Sequence, residues 1–298
     1  MARAEKPEIL KWICRQTFDK PLDIKNLLAR GAVEALGKSV EDAESYAEAN
    51  ADIFWRYLLT HEQEFGKRGV TRCFEVIDSS AQTLAWFGAG TAPPAKPSPQ
   101  MRSLARLRHR PAFLKMIDDL SDREYEALGC VVSKLGGATE TKLTPRGGDG
   151  GIDFFAQVEN PSRCHLFGGG VHPLRIIGQC KKYSSPVVVD KVDAFITTIE
   201  GVKYRTPKAK KAEPPEWFLS ARGPIIGLII AHSGFQSGAS DKAKNHGIIA
   251  ADSMDLAEIA ARSRKVPESL GAEGRALWCR TEAIAHLQAI AANLLDPP

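Results

Sequence analysis

Three polar residues, Asp153, Gln179 and Lys181, have the types and spacing that metal-assisted hydrolysis of a phosphodiester could use. Asp153 follows the glycine-rich stretch 147–151, and Gln179 and Lys181 stand two residues apart within 176–183 (IIGQCKKY). Side chains two apart on a β-strand point to one face, so Gln179 and Lys181 share a side of a strand. A carboxylate and an amide oxygen can hold a hard divalent cation, and a lysine can orient water and hold negative charge on a phosphate.

The predicted metal ligands are the Asp153 carboxylate, the Gln179 amide oxygen and the backbone carbonyl of Cys180, which lies between the glutamine and the lysine. Glu126, with Glu124 as the alternative, lies on the preceding helix and would add a second carboxylate. Each piece alone is more often structural, because an aspartate after glycines usually serves a turn and a Gln-x-Lys pair usually lies on a solvent-facing strand edge. Their combination and order favour an active site.

Alternating helices and strands must position these residues. Apolar periodicity predicts helices over 123–135, 188–199, 239–246, 254–261 and 272–294, and strands over 138–143, 152–158, 174–182, 224–231 and 248–251. This order implies an α/β fold with a central mixed sheet flanked by helices. His232 and Ser233 have no acidic partner in their sequence context, and we expect them to end the buried strand before them.

A different pattern precedes this core, and it predicts an N-terminal all-α domain over residues 1–90. Gly37 and Ser39 have the types of a helix stop and the next N-cap. The proline-rich residues 91–100 predict a linker, which leaves 101–298 as the second domain. The N-terminal domain could recognise DNA, dimerise or dock a partner, and the sequence does not choose among these. Helices are expected over 8–17, 24–36 and 40–64, with one or two shorter ones over 72–87.

Composition sets broad limits on the class of protein. The 298 residues are 43% hydrophobic and 26% charged, which is ordinary for a folded soluble chain. No apolar run approaches the ~18 residues of a membrane span, and the N-terminus lacks a signal-peptide core, so we expect a cytoplasmic protein without membrane contact. Six cysteines without a CxxC pair make a disulfide framework unlikely to be the basis of the fold.

The net charge of +4 is modest, but basic residues cluster along the chain. One cluster lies within 102–115 and another within 203–211. Such clusters suit a phosphate backbone, although a solvated face is an equal alternative for either one. The predicted nucleic-acid-binding residues are Arg146, Lys182, Lys203, Arg205, Lys208, Lys210 and Lys211.

Five motifs in this order make residues 121–261 resemble the Mrr-like restriction endonuclease family, within the PD-(D/E)xK nuclease superfamily. They are YEALGCVVSKLGG at 125–137, GDGGID at 148–153, QCKKY at 179–183, HSGFQSGASDKA at 232–243 and IIAADSMDL at 248–256. The resemblance implies a restriction-endonuclease-like core whose catalytic set is Asp153, Gln179, Lys181 and, with a looser spacing, Glu126. The stretches 157–173 and 203–223 depart from the family pattern by insertion, and neither removes a catalytic residue.

The same resemblance implies a DNA endonuclease that uses Mg²⁺, for which Mn²⁺ could substitute, in restriction or other antiviral defence. DNA is the expected partner, and a homodimer or a component of a defence complex is the expected assembly. A DNA-repair or junction-resolving nuclease on the same fold stays an alternative, since fold alone does not separate these roles. A catalytically silent nucleic-acid-binding or sensor module is a third possibility, against which the joint presence of Asp153, Gln179 and Lys181 argues.

Overall fold

The computed structural model describes residues 5–71, 73–86, 98–145, 150–159, 172–206 and 213–295. The chain divides into two compact units, Met1–Lys115 with Gly271–Glu273, and Met116–Leu270 with Gly274–Pro298. Within the described residues, no helix has both the length and the apolar character that crossing a membrane requires.

The first unit begins with three helices, α1 (Glu5–Cys14), α2 (Ile24–Leu36) and α3 (Val40–Arg68). Gly37 ends α2 with a φ of +68°, a backbone conformation that a residue without a Cβ adopts at little cost. Ser39 then caps α3, because its side chain accepts a hydrogen bond from the Asp42 amide at 3.2 Å. The predicted stop and N-cap are therefore confirmed.

The expectation of short helices over 72–87 was wrong, because these residues contain strands. The strands β1 (Leu22–Asp23), β2 (Phe74–Asp78) and β3 (Thr83–Trp86) form an antiparallel sheet in the order β1-β3-β2. Asp78 Oδ1 accepts hydrogen bonds from the amides of Ser80 and Ala81 at 2.8 and 3.1 Å, and this turn folds the chain into a hairpin. The N-terminal region is therefore helical but carries a small sheet, and is not all-α.

The end of the predicted linker is helical. Ser98 caps α4 (Pro99–Ala105) by accepting from the Met101 amide at 3.2 Å, and a 3₁₀ turn (Arg106–His109) leads into α5 (Arg110–Asp119). Residues 87–97 lie outside the described part of the chain. The division into domains at 91–100 therefore stays a prediction, and the boundary between the two compact units falls within α5.

The second unit contains the predicted mixed sheet flanked by helices, which is confirmed. Its five strands follow the order β4-β5-β6-β7-β8, in which β4, β5 and β6 are antiparallel and β7 and β8 run parallel to β6. The strands are β4 (Ala138–Leu143), β5 (Phe154–Val158), β6 (Leu174–Lys181), β7 (Ile225–Ala231) and β8 (Ile249–Asp252). The helices are α6 (Asp122–Leu135), α7 (Val189–Lys203), α8 (Glu216–Ser220), α9 (Ser237–Asn245), α10 (Ser253–Arg262) and α11 (Ala272–Leu295).

Alternate residues of the central strands pack on opposite faces of this sheet. On one face, Phe155 and Ile177 join a buried cluster with Phe195 and Ile199 of α7. On the other face, Phe154 of β5 packs toward α6. A strand covered on both faces is apolar along most of its length, which explains the continuous hydrophobic run of β7.

Two glycines make room for the Phe154 ring. A Cβ placed on Gly178 of β6 would come within 2.1 Å of this ring, and one on Gly129 of α6 within 2.6 Å. Phe154 and Gly178 are also direct partners in the β5–β6 register. The ring therefore occupies the space left by two missing side chains, and it fixes how α6 lies on the two central strands.

We predict that Gly178→Ala destabilises the sheet-containing unit by about 1–3 kcal/mol, the usual cost of forcing an extra methyl group into a packed core. The matched control is Gly66→Ala in α3, where an added Cβ meets no atom within 4 Å. Removing a helical glycine there should stabilise by about 0.5–1 kcal/mol. Chemical denaturation measures both free energies of unfolding, and an equal response of the two variants would contradict the packing described.

Candidate active site

The two central antiparallel strands bring the predicted catalytic residues together. Phe154 at the start of β5 pairs with Gly178, so Asp153 lies beside Gln179 near the end of β6. Asp153 and Gln179 are each only 6% exposed. Buried polar side chains are stabilised by hydrogen bonds, and the partners of these two residues fix the direction of each.

Asp153 is held from both sides of its strand. Its Oδ2 accepts a hydrogen bond from the backbone amide of Cys180 at 2.5 Å. Its backbone oxygen accepts from the Thr144 amide at 2.9 Å, and the hydroxyl of fully buried Thr144 lies 2.9 Å from the same oxygen. The carboxylate is therefore directed at the backbone between Gln179 and Lys181. Thr144 was not identified from the sequence, where it is one polar residue after a strand.

The Gln179 amide has a fixed orientation. Its Nε2 donates to the Gly151 carbonyl oxygen at 2.6 Å. Gly151 has a φ of +89°, and a Cβ there would lie 3.1 Å from Nε2, so glycine is required both by the backbone and by the space. Within the described residues, Gln179 Oε1 accepts no hydrogen bond, so it is the atom available to a ligand.

Lys181 and Lys182 have different surroundings. Lys182 Nζ donates to the backbone oxygen of Asp118, at the end of α5, at 2.9 Å. Within the part of the chain that the structure describes, the Lys181 ammonium forms neither a hydrogen bond nor an ion pair. The Lys181 backbone oxygen accepts from the His232 amide at 2.9 Å, which ties the end of β6 to β7. Lys182 is therefore occupied, while the charge of Lys181 is available.

Glu126 and Glu124, the two candidate acids of α6, have different partners. The Glu124 side chain accepts from the Ser121 amide at 2.8 Å and from Arg280 Nε at 3.0 Å, so it completes the N-terminal cap of the helix. These bonds hold the pKa of Glu124 below its usual range, with the Ser121 amide as the largest cause. Glu126 instead pairs with Arg123, whose second nitrogen donates to the Thr144 carbonyl oxygen.

The pKa of the Cys180 thiol is shifted by burial and by nearby charges. Burial raises its pKa well above the usual value, and the carboxylates of Asp153 and Glu126 raise it further. Of the two carboxylates, that of Asp153 contacts this segment of β6 directly, through the Cys180 amide. The thiol stays protonated, and its sulfur lies 3.2 Å from the position of a Cβ on Gly129, on the α6 side of the sheet. Of Cys180, the backbone carbonyl and not the sulfur is thus the candidate ligand.

A second polar cluster lies beside the catalytic strand. His232 Nε2 lies 2.8 Å from Asp118 Oδ1, and the His232 ring packs edge-on against Tyr125 at 6.0 Å between centroids. His232 follows the end of β7 at Ala231, as expected, and its acidic partner Asp118 lies outside its sequence context, 114 residues earlier in the chain. Ser233 donates to the Tyr183 carbonyl oxygen at 2.7 Å. Asp118 therefore binds His232 through its carboxylate and Lys182 through its carbonyl.

The donor set fits a hard divalent cation. The structure brings together the Asp153 carboxylate, the Gln179 side chain and the Cys180 backbone, which offer oxygen ligands, while the carboxylate of Glu126 is paired with Arg123. Among the described residues, no group of three or more His, Cys, Asp or Glu side chains could hold a metal ion.

The predicted nucleic-acid-binding residues do not all reach this site. Arg146, Lys208, Lys210 and Lys211 lie outside the described residues. Lys203 and Arg205, at the end of α7, line a cavity together with Arg175, which lies at the start of β6. Lys181 ends the same strand six residues later, about 20 Å away at 3.3 Å per residue. The structure therefore separates Lys203 and Arg205 from the catalytic residues.

Comparison with known proteins finds one family model that matches part of the second unit. Residues 117–210 match the model of the family Mrr_cat, described as restriction endonuclease. The matched range contains Glu126, Asp153, Gln179 and Lys181. No curated protein matches the chain.

Several solved structures show low overall similarity. The MspJI restriction endonuclease in complex with a 27-mer oligonucleotide has a TM-score of 0.38 and 18% identity, over 66% of this chain and 40% of that one. The DNA modification-dependent restriction endonuclease AspBHI gives 0.34 and 16%, over 62% and 40%. The restriction endonuclease FokI gives 0.37 and 14%, over 87% and 44%. The chain thus spans about two fifths of the length of these proteins.

The matched range contains the strands β4, β5 and β6 of the five-stranded mixed sheet. The match confirms the resemblance that the motifs predict. Residues 117–210 are thus similar to the restriction endonuclease family Mrr_cat.

Proposed function

We propose that this chain is a divalent-metal-dependent DNA endonuclease that acts in restriction or other defence against foreign DNA. One observation carries the proposal: Asp153, just before β5, binds the backbone between Gln179 and Lys181 at the end of β6, within the stretch that matches a restriction endonuclease family. Mg²⁺ is the proposed cofactor, and Mn²⁺ should substitute for it. A homodimer, or a complex with other defence proteins, would supply the second active site that double-strand cutting needs.

The proposed metal ligands are the oxygens of Asp153, Gln179 and the Cys180 backbone, with Glu126 as a further carboxylate. A bound divalent cation would polarise the scissile phosphate and lower the pKa of a coordinated water. The amide of Cys180 holds the Asp153 carboxylate, and Gly151 holds the Gln179 nitrogen, so neither side chain has to reorient when DNA binds. Such preorganisation is the main source of electrostatic catalysis.

Lys181 is the proposed catalytic lysine. Its ammonium is available at the end of β6, where it would orient the attacking water and hold the negative charge that develops on the phosphate. Lys182 is tied to Asp118 and cannot serve the same role without losing that bond. A DNA contact for Lys182 stays a prediction.

The metal requirement has a direct test. We predict that purified full-length protein stops cutting plasmid DNA in excess chelator and resumes when magnesium or manganese is added back, because the oxygen donors need a hard cation to act on the phosphate. The measurement is the loss of supercoiled plasmid with time. Undiminished cutting in chelator would rule out the proposed mechanism.

The two adjacent lysines provide a matched pair of variants. We predict that Lys181→Ala lowers the cutting rate at saturating DNA by about 10²–10³-fold, the usual loss when one group that stabilises the transition state is removed. Lys182→Ala should keep a rate close to wild type at saturating DNA, with any effect confined to stability or DNA affinity. Circular dichroism serves as the control for folding. An equal loss in both variants, or a larger loss for Lys182→Ala, would show that the assignment is wrong.

A further inference from the structure

A basic cavity of about 420 Å³ lies where β6 and β7 begin, away from the residues that end β6. Within the described residues, its lining contains basic side chains and no acidic one. Phe218 of α8 forms part of the wall. The four basic lining residues are Arg175, Lys203, Arg205 and Arg222.

Arg175 is fixed in this cavity by backbone oxygens, and no carboxylate of the described residues pairs with it. Its Nε and Nη2 donate to the Gly223 carbonyl oxygen at 3.0 and 2.7 Å, and its Nη1 donates to the Phe218 carbonyl oxygen at 2.9 Å. The guanidinium also lies 5.3 Å from the centroid of the Phe218 ring. Burial, and then the charge of neighbouring Arg205, lower the pKa of Arg175. The cavity therefore has an excess of positive charge that a bound anion would neutralise.

Arg205 has an unfavourable backbone conformation. It follows α7 with a φ of +54°, in the left-handed region where a glycine is usual, and the Thr206 amide closes the helix end on the Gly201 oxygen at 2.9 Å. A residue with a Cβ costs roughly 1–2 kcal/mol there. Backbone strain of this kind is often found at binding sites, and here it places a guanidinium at the cavity.

The remaining charges are available to a ligand. Lys203, Arg205 and Arg222 are exposed. Within the described part of the chain, none of the three forms a salt bridge or a side-chain hydrogen bond. Tyr204, which is 80% exposed, stands between two of them in the chain. A basic groove with an exposed aromatic side chain has the chemistry that binds a nucleic acid strand, because bases stack on the ring and phosphates bind the cations.

The volume of the cavity indicates the size of the ligand that it can hold. A cavity of about 420 Å³ falls within the ~300–1,000 Å³ of small-molecule sites and exceeds what a single inorganic phosphate fills. It accommodates a nucleotide unit. The basic sequence continues through Lys208, Lys210 and Lys211, which favours an extended polyanion over an isolated nucleotide.

We propose that this cavity binds the phosphate backbone of a DNA strand, at a second site about 20 Å from the catalytic lysine. The choice of DNA as the polyanion rests on the proposed function. The phosphates held there are not the ones positioned for cutting, because the separation spans most of β6. They belong to a second segment of the substrate, or to a second DNA molecule, anchored by charge and without base-specific contacts.

The test measures binding in chelator, where no cutting interferes. The ligand is a fluorescently labelled single-stranded DNA oligonucleotide, followed by fluorescence anisotropy with the full-length protein. The variant combines Arg205→Gly, which removes the strain together with the charge, and Arg222→Gln. We expect the Kd to rise about tenfold or more at physiological salt, and the slope of log Kd against log salt to fall by about 1.4, since each phosphate contact to a single strand contributes about 0.7.

A control double variant, Lys244→Gln with Arg264→Gln, removes the same charge from exposed residues that do not line the cavity. It should bind the oligonucleotide nearly as wild type does. Equal weakening in both double variants would overturn the proposal, because the effect would then follow net charge. Unchanged binding in the cavity variant would also overturn it.

Two further readouts separate the alternatives. Thymidine monophosphate should compete with the oligonucleotide only weakly. Competition at the affinity of the oligonucleotide itself would show that the cavity takes a free nucleotide and would overturn the strand proposal.

Plasmid cutting with magnesium is measured in parallel. A wild-type protein that never cuts, together with weakened binding in the cavity variant alone, would refute the proposed function and support the second site. Normal cutting with unchanged binding would refute the second site alone.

Discussion

Phe154 packs over Gly178, and this contact sets the register between β5 and β6 on which the candidate site depends. With Phe154 opposite Gly178, the preceding Asp153 reaches the backbone amide of Cys180. A slip by one residue would turn every side chain of one strand to the other face and separate Asp153 from Gln179. Gly129 of α6 receives the other side of the ring, so the same aromatic side chain also sets where α6 lies.

Because of this register, neighbouring residues at the end of β6 have different partners. Gln179 is held by Gly151 on one side, and Cys180 buries its thiol toward α6 while its amide binds Asp153. Lys181 ends the strand with its ammonium available, and Lys182 is bound to Asp118. Alternation along a single strand thus places the proposed metal-binding and catalytic residues on one side and residues with structural contacts on the other.

Local patterns in the sequence were enough to predict the candidate-site residues on two short segments, the one before β5 and the end of β6. The two-residue spacing of Gln179 and Lys181 and the glycine-rich turn before Asp153 both depend on backbone geometry, which is why they could be interpreted. The sequence left Glu126 and Glu124 as alternatives, and in the structure Glu124 binds both the Ser121 amide and Arg280, 156 residues away in the chain, which favours Glu126 as the proposed acid.

Contacts between distant residues could not be predicted in this way. Asp118 and His232 are 114 residues apart, and no local pattern marks them as partners. The basic cavity likewise joins the start of β6, the end of α7 and residues before β7. The prediction of helices over 72–87 was wrong because Asp78 forms a turn, which joins β2 and β3 into a hairpin. A distant segment also contributes, since β3 pairs with β1.

The two ends of β6 have separate chemistry. The end with Lys181 carries oxygen donors and one available ammonium, which suits a metal ion and a reacting phosphate. The beginning, at Arg175, carries cations and, as far as the structure describes the chain, no acidic side chain, which suits phosphates that do not react. A nuclease domain organised in this way would hold DNA at one place and cut it at another, with the strand as the rigid spacer.

The most direct test of the central claim is the cutting rate of Asp153→Asn with saturating plasmid and magnesium. This substitution keeps an oxygen that can accept from the Cys180 amide, so the fold should persist, but it removes the charge that would hold the cation. The account predicts a loss of about a hundredfold or more with DNA binding retained. Cutting at the wild-type rate by a correctly folded Asp153→Asn protein would contradict it.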